Sequence, residues 1–302
     1  MNVPEKAPEL SVILILLGGG THMVRCLEAL SRQRNPPEME VIIPRDARLG
    51  DEDAESLTAI FPGLRFAVLA GRQNFAAMRT AGVKAARGRV VAITEDQCIP
   101  PESWCAAIMA AHAKPYAGLH GAVGGPVDKQ QPDRIINWAI YLRELGTYMP
   151  PLAEGPVESL TDCNVTYTRD ALDQIAAVWT AEFHEPEVHA ALRERGQTLW
   201  LSPKLLTYQQ REIILGPAIR ERYEFGRLYG GLRVAHLSGF RRLMLIAATP
   251  LLPVLMVYRV LQGVLRKRRN VGVCLAAMPY LVLFAAVWSW GELVGYVTGQ
   301  TK

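Results

Sequence analysis

The chain has 302 residues, half of them apolar and 21% charged, which excludes wholesale disorder and allows one large domain or two smaller ones. A net charge of +4 is too mild to suggest a nucleic-acid partner. Five cysteines without a C-x-x-C pair argue against a disulfide framework or structural zinc site and fit a reducing compartment. The first residues, MNVPEKAPEL, lack the basic-then-apolar pattern of a secretory signal.

Leu10 to Leu17 (LSVILILL) is a continuous apolar run that stops at Gly18-Gly19-Gly20, as a buried parallel strand does. Thr21 is placed to cap a helix in which Met23, Val24, Leu27 and Leu30 recur at helical spacing. Strands are expected at Glu40 to Ile43, Leu64 to Leu69 and Val90 to Thr94, with a helix from Asn74 to Ala86 ended by Gly88. Glu95-Asp96-Gln97 follows the last of these strands, then Pro100-Pro101 and a helix containing Trp104. Such alternation predicts a mainly parallel sheet with helices on both faces. Ligands bind outside the carboxyl ends of such strands, so Gly18 to Thr21, Asp46 and Glu95-Asp96 should share one rim.

Beyond about residue 215 the composition changes. Residues 216–242 carry Arg220, Arg222, Arg227 and Arg233 among Ile219, Tyr223, Phe225, Leu228 and Tyr229. That mixture reads as an amphipathic interfacial helix or as a surface helix closing the soluble part. Residues 243–302 form a membrane segment. Val271 to Gly291 is free of charge for 21 residues, enough to cross a hydrocarbon core that takes about 20, and residues 271–296 are expected to be a transmembrane helix. Residues 243–265 hold Pro250 and Pro253 between Arg241-Arg242 and the basic run Arg266 to Arg269. Basic flanks prefer the cytoplasmic side, so a bent, re-entrant segment is favoured over a first full span.

The triple glycine lacks the G-x-G-x-x-G spacing of a dinucleotide site. Asp46 reads either as a ribose ligand or as a turn aspartate. Glu95 and Asp96 would repel each other unless neutralised, and their oxygen ligands suit Mg²⁺ or Mn²⁺, which would hold a diphosphate. Two acids at a helix start read equally as dipole partners. His184 and His189 are five apart with Pro186 between them, which excludes the H-E-x-x-H zinc pattern.

Taken in order, the segments SVIL, CLEALSRQ, AAMRTAGVKAARGRVVAITED, Gly124 to Val127, Asp162 to Tyr167 with Arg169, and Phe183 to Gly196 resemble the family 2 glycosyltransferases. The resemblance covers nearly all of Leu10 to Arg211 and implies an α/β GT-A fold over residues 1–215. It further implies transfer, usually with inversion, of a sugar from a nucleoside diphosphate sugar to an acceptor hydroxyl. By that likeness Asp96 is the metal and diphosphate ligand, a divalent cation (Mn or Mg) is the cofactor, and Glu185 is the general base. Asp46, Arg79, Glu95 and Asn164 complete the nucleotide and donor site. Thr80, Gln97 and His184 depart from the family pattern, which keeps a non-catalytic GT-A-like protein in view beside a Rossmann-type cofactor enzyme. The amphipathic segment suits a lipid-linked or envelope glycan acceptor. The expected location is the cytoplasmic (inner) membrane, with the catalytic domain facing the cytoplasm.

Overall fold

The computed structural model describes residues 7–113, 120–130, 132–234 and 237–299, with the side chains of residues 51 and 52 set aside. The chain opens with β1 (Leu10–Ile15), α1 (Gly20–Ser31), β2 (Met39–Arg45), α2 (Asp51–Ile60), β3 (Arg65–Val68), α3 (Phe75–Ala85) and β4 (Val90–Glu95). It continues through β5 (Cys98–Ile99), α4 (Trp104–Ala111), β6 (His120–Gly124), β7 (Val127–Lys129) and α5 (Ile135–Glu144). Then come β8 (Gly155–Pro156), β9 (Asn164–Thr168), α6 (Arg169–Gln174), α7 (Ala176–Trp179) and α8 (Glu185–Glu194). After β10 (Thr198–Leu201) and β11 (Thr207–Gln209), four long helices close the chain: α9 (Leu215–Val234), α10 (Gly239–Ala248), α11 (Leu252–Lys267) and α12 (Val271–Thr298).

These elements fall into two compact units, residues 1–130 with 148–210, and residues 131–147 with 211–302. The sequence suggested a soluble part running unbroken to 215. Here α5 leaves the first unit and joins the C-terminal helices, because its buried Ile136, Trp138 and Ile140 form an apolar helix that packs on α12.

In the first unit an eight-stranded sheet has the order β3-β2-β1-β4-β9-β6-β10-β8. Neighbours are parallel except where β9 runs against β4 and β6, and β8 against β10. Every residue of β1 is buried, as expected of a strand covered on both faces; each fully buried aliphatic side chain contributes about 1.5–3 kcal/mol. Gly82 sets how closely α3 lies on this sheet: a Cβ there would stand 2.4 Å from Ile13 Cγ2. Asn74 caps α3, its side chain accepting from Ala77 N at 2.7 Å. By contrast α1 begins at Gly20 behind Gly19, which has a φ of 62° and no side-chain cap; the cap expected of Thr21 is replaced by backbone that only glycine adopts easily.

In the second unit α9 and α12 meet through glycines four residues apart. A Cβ on Gly226 would lie 2.2 Å from Trp288 O, and one on Gly230 would lie 2.4 Å from Glu292 O. From the other side, Gly291 and Gly295 face Tyr223 O and Arg227 O at 2.2 and 2.3 Å. Small residues at this spacing let helix backbones touch.

Two helical stretches, Gly239–Lys267 and Val271–Thr298, are long and apolar enough to cross a membrane. The first contains a 3-10 turn at Thr249–Leu251, where Pro250 interrupts the ladder. Arg242 Nη2 donates to Val297 O at 2.5 Å, at the end of α12 remote from the Arg266 to Arg269 run. The two basic clusters therefore flank opposite ends of α12, about 40 Å of helix apart. The orphan carbonyls at the C-terminus of α12 attract Arg242, and one 3-10 turn does not reverse the chain.

Candidate active site

β4 ends at the carboxyl rim of the sheet and delivers Glu95 and Asp96 there. Asp96 is fully buried. Its Oδ1 accepts from Leu17 N at 3.1 Å and its Oδ2 from Gly18 N at 3.0 Å and Gly19 N at 2.5 Å. The carboxylate expected to hold a metal thus organises the glycine loop from within. Burial pushes its carboxyl above the ordinary range, against the pull of those three N–H groups. The same contacts occupy the amides that a dinucleotide pyrophosphate would need.

Glu95 lies instead in an ionic cluster built on Arg79. This arginine, nearly buried on α3, places Nη2 3.0 Å from Asp162 Oδ2 and 3.8 Å from Glu95 Oε1. Its Nε stands 2.5 Å from Glu185 Oε1. That last contact is misaligned for a hydrogen bond, and neither atom finds another hydrogen-bond partner. Glu185 opens α8 with Pro186 in the first turn. Burial raises its carboxyl above the usual 4.5, and the charge of Arg79 works in the opposite direction. Its neighbours face elsewhere. His184 Nε2 pairs with Glu182 Oε2 at 2.9 Å in an exposed position, and Glu187 is exposed.

Three sequence-predicted site residues, Arg79, Glu95 and Glu185, thus converge, and Asp162 joins them. Asp162 went unassigned in the sequence although its segment was singled out; an acid immediately ahead of Cys163-Asn164 was the available signal. Asp46 and Asn164 do not join the cluster. Asp46 accepts from Arg48 Nη2 at 2.7 Å and from Gln73 N at 2.9 Å, and the hydrogen bond from the Arg48 side chain holds its carboxyl far below the ordinary range. Asn164, fully buried, accepts from Trp104 Nε1 at 3.1 Å and donates to Pro126 O at 3.1 Å.

A cavity of about 830 Å³ opens beside the glycine loop, lined among others by Thr21, Arg25, Arg48 and Asp53, within the size range of ligand sites. Two donor sets near Glu95 could meet a metal. The carboxylates of Glu95 and Asp162 share one nitrogen of Arg79 and are hard oxygen ligands that suit Mn²⁺ or Mg²⁺. Glu95 with Cys98 and Cys163 also gathers ligand atoms within 4.8 Å of one another. Both cysteines are buried, and the hydrogen bond from Cys98, then burial, holds the Cys163 thiol well above its usual range. By ligand hardness the oxygen set fits Mn²⁺ or Mg²⁺, whereas thiolates suit softer metals.

A GT-A architecture is seen in two solved structures of similar fold. One is a mannosyltransferase from Pyrobaculum calidifontis in complex with GDP-Man and Mn²⁺, with a TM-score of 0.52, 16% identity, and coverage of 98% of this chain and 86% of that one. The other is GalNAc-T7 with UDP, GalNAc and Mn²⁺, with a TM-score of 0.51 and 12% identity over 69% of this chain and 45% of that one; the match spans under half of GalNAc-T7. These likenesses show the fold, a mixed α/β architecture of the GT-A type. Residues 11–176, just over half of the chain, match the model of glycosyl transferase family 2, and the chain belongs to that family. No curated protein matches it in sequence.

Proposed function

We propose that the protein transfers a sugar, with inversion, from a nucleoside diphosphate sugar to a hydroxyl of a lipid-linked or envelope glycan acceptor. The observation that carries this reading is the convergence of Glu185, Asp162 and Glu95 on Arg79 at the sheet's carboxyl rim. Glu185 is the general base. Its Oε1 is ion-paired with Arg79, and its raised carboxyl makes it a stronger base than an exposed glutamate. Arg79 keeps that carboxylate ionised and aimed. Asp96 shapes the donor cavity indirectly, by fixing the glycine loop, and Asp46 does so by tying Arg48 to the cavity wall.

Glu95 and Asp162 would hold the divalent cation, Mn²⁺ or Mg²⁺, which when bound neutralises charge on the leaving diphosphate. Support for the metal comes from their oxygen donors and from the Mn²⁺ in both similar structures. The apolar stretches at 239–267 and 271–298 support attachment to a membrane; the reading puts it at the cytoplasmic membrane with the first unit facing the cytoplasm, where nucleotide sugars are made.

The test is nucleoside diphosphate release by the full chain from a panel of UDP and GDP sugars, with and without Mn²⁺. Release that needs Mn²⁺ is expected for at least one donor. No binding or release with any donor would favour the non-catalytic alternative, which the departures at Thr80, Gln97 and His184 keep open.

A further inference from the structure

The second unit contains a groove lined by none of the residues assigned above to sugar transfer. It encloses about 820 Å³, and one face of α11 forms its floor. Leu252, Leu255, Met256, Arg259, Val260 and Val264 line it at intervals of three and four residues, so a single helical stripe contributes them all. The stripe is graded. Its first turns are apolar, and its last residues add Arg266 and Lys267. Lys267 fixes that basic end, donating to Thr147 O at 2.8 Å. From Leu252 to Lys267 the helix rises about 22 Å.

The opposite wall adds Arg143 and Arg233, giving five cations in the lining against one carboxylate, Glu292. Glu292 is already engaged, by Trp288 Nε1 at 2.9 Å, by the Tyr296 hydroxyl and by Arg233 at 3.7 Å. Arg259 is the only charge between Arg242 and Arg266 and makes no ion pair among the described residues. A lone arginine on an apolar helix is costly in a membrane setting unless an anion meets it. Outside the groove, Val254, Tyr258 and Leu265 are exposed on the same helix, an apolar margin that suits hydrocarbon better than water.

We propose that this groove binds one phosphate-bearing lipid, with its headgroup among Arg259, Arg266 and Lys267 and its chain along the apolar turns of α11. Charge complementarity selects an anion, and the apolar half of the floor selects one that carries a hydrocarbon chain. The site stands independently of the sugar-transfer reading, since none of its residues belongs to the Arg79 cluster.

Gly263 offers a direct probe. It lines the groove, and a Cβ built on it meets nothing within 4 Å, so Gly263→Phe fills the space without disturbing the helix. The experiment is native mass spectrometry of the detergent-solubilised full chain titrated with dioleoyl phosphatidic acid, with dioleoyl phosphatidylcholine and inorganic phosphate as comparison arms. Expected is a single retained phosphatidic acid, bound at least fivefold more tightly than phosphatidylcholine and not displaced by equimolar phosphate. Gly263→Phe should abolish that adduct and Arg259→Gln should weaken it about tenfold, with Mn²⁺-dependent donor hydrolysis unchanged in both. Equal retention of the two lipids, full displacement by phosphate, or a wild-type adduct in either variant would overturn the proposal. Arg259→Gln decides the matter alone if Gly263→Phe does not fold.

Discussion

Arg79 Nε lies 2.5 Å from Glu185 Oε1, so a nearly buried arginine on α3 meets the first residue of α8 across 106 residues of chain. The same guanidinium holds Asp162. Removing it would leave the three carboxylates of the cluster together without their shared cation. Such a change disfavours ionisation of all three.

Arg79→Met should therefore act through Glu185. A base works only when deprotonated, and Arg79 draws the Glu185 carboxyl down against the upward push of burial. Without that pull the carboxyl rises further, and the acid limb of the kcat profile moves to higher pH. Turnover at neutral pH should fall at least tenfold and recover in part at alkaline pH. An unchanged acid limb would separate Arg79 from the base.

Metal titration distinguishes Glu95 from Asp96. Glu95→Gln should remove the gain in nucleotide affinity that Mn²⁺ gives the wild type, because it deletes a carboxylate of the oxygen donor set. Asp96→Asn should keep a Mn²⁺ response while lowering stability by about 1–3 kcal/mol, the usual scale for losing charged hydrogen bonds. The readouts are isothermal titration of nucleoside diphosphate with and without Mn²⁺, and thermal unfolding. A Mn²⁺ response lost in Asp96→Asn and kept in Glu95→Gln would return the metal to Asp96.

Much of the fold was legible because its strands are continuous apolar runs. Leu10 to Leu17, Glu40 to Ile43 and Val90 to Thr94 each mark an observed strand, with ends differing by at most two residues. The helix beginning at Asn74 was legible too, although its cap and the close approach at Gly82 are seen only in the structure. The site was harder to read. Spacing identifies which acids reach a rim, but not which of their oxygens already accept from the backbone, as those of Asp96 and Asp46 do. Asp162 stood in a segment the sequence singled out, but its partner, an arginine 83 residues away, is visible only in the fold. The hydrogen bonds from Arg242 to the end of α12 were not legible either, since they are tertiary.

The glycine contact between α9 and α12 is a second test of packing. Gly230→Leu or Gly291→Leu would place a side chain within 2.2–2.4 Å of a backbone oxygen, and overpacking of this kind typically costs about 1–3 kcal/mol. Either variant should melt earlier in detergent than the wild type. Gly216→Ala, with nothing within 4 Å of its added Cβ, should melt with the wild type.

Stability should also depend on pH through two buried histidines. His112 meets Thr166 Oγ1 at 2.8 Å, His189 meets the Tyr167 hydroxyl at 3.0 Å, and burial pushes both rings down to about 4. The unfolded chain binds protons near pH 6.5 and the folded one does not, so stability is full above about 6.5 and falls as pH drops toward 4. Each histidine accounts for a loss on the order of 3 kcal/mol across that window. Urea unfolding at pH 7 and pH 5 should show the drop, and His189→Gln should make it shallower. Equal slopes in the two proteins would contradict the neutral state of His189.

The central claim is that Glu185 takes the proton of the acceptor, and one kinetic comparison tests it most directly. Glu185→Gln keeps the size and shape of the side chain and deletes the base. With the donor that the wild type uses, turnover should fall by about 10²–10⁴, the usual worth of general-base assistance, while donor affinity stays within a factor of two. Transfer by Glu185→Gln at the wild-type rate, with His184→Ala inactive, would contradict the account and assign the base to His184.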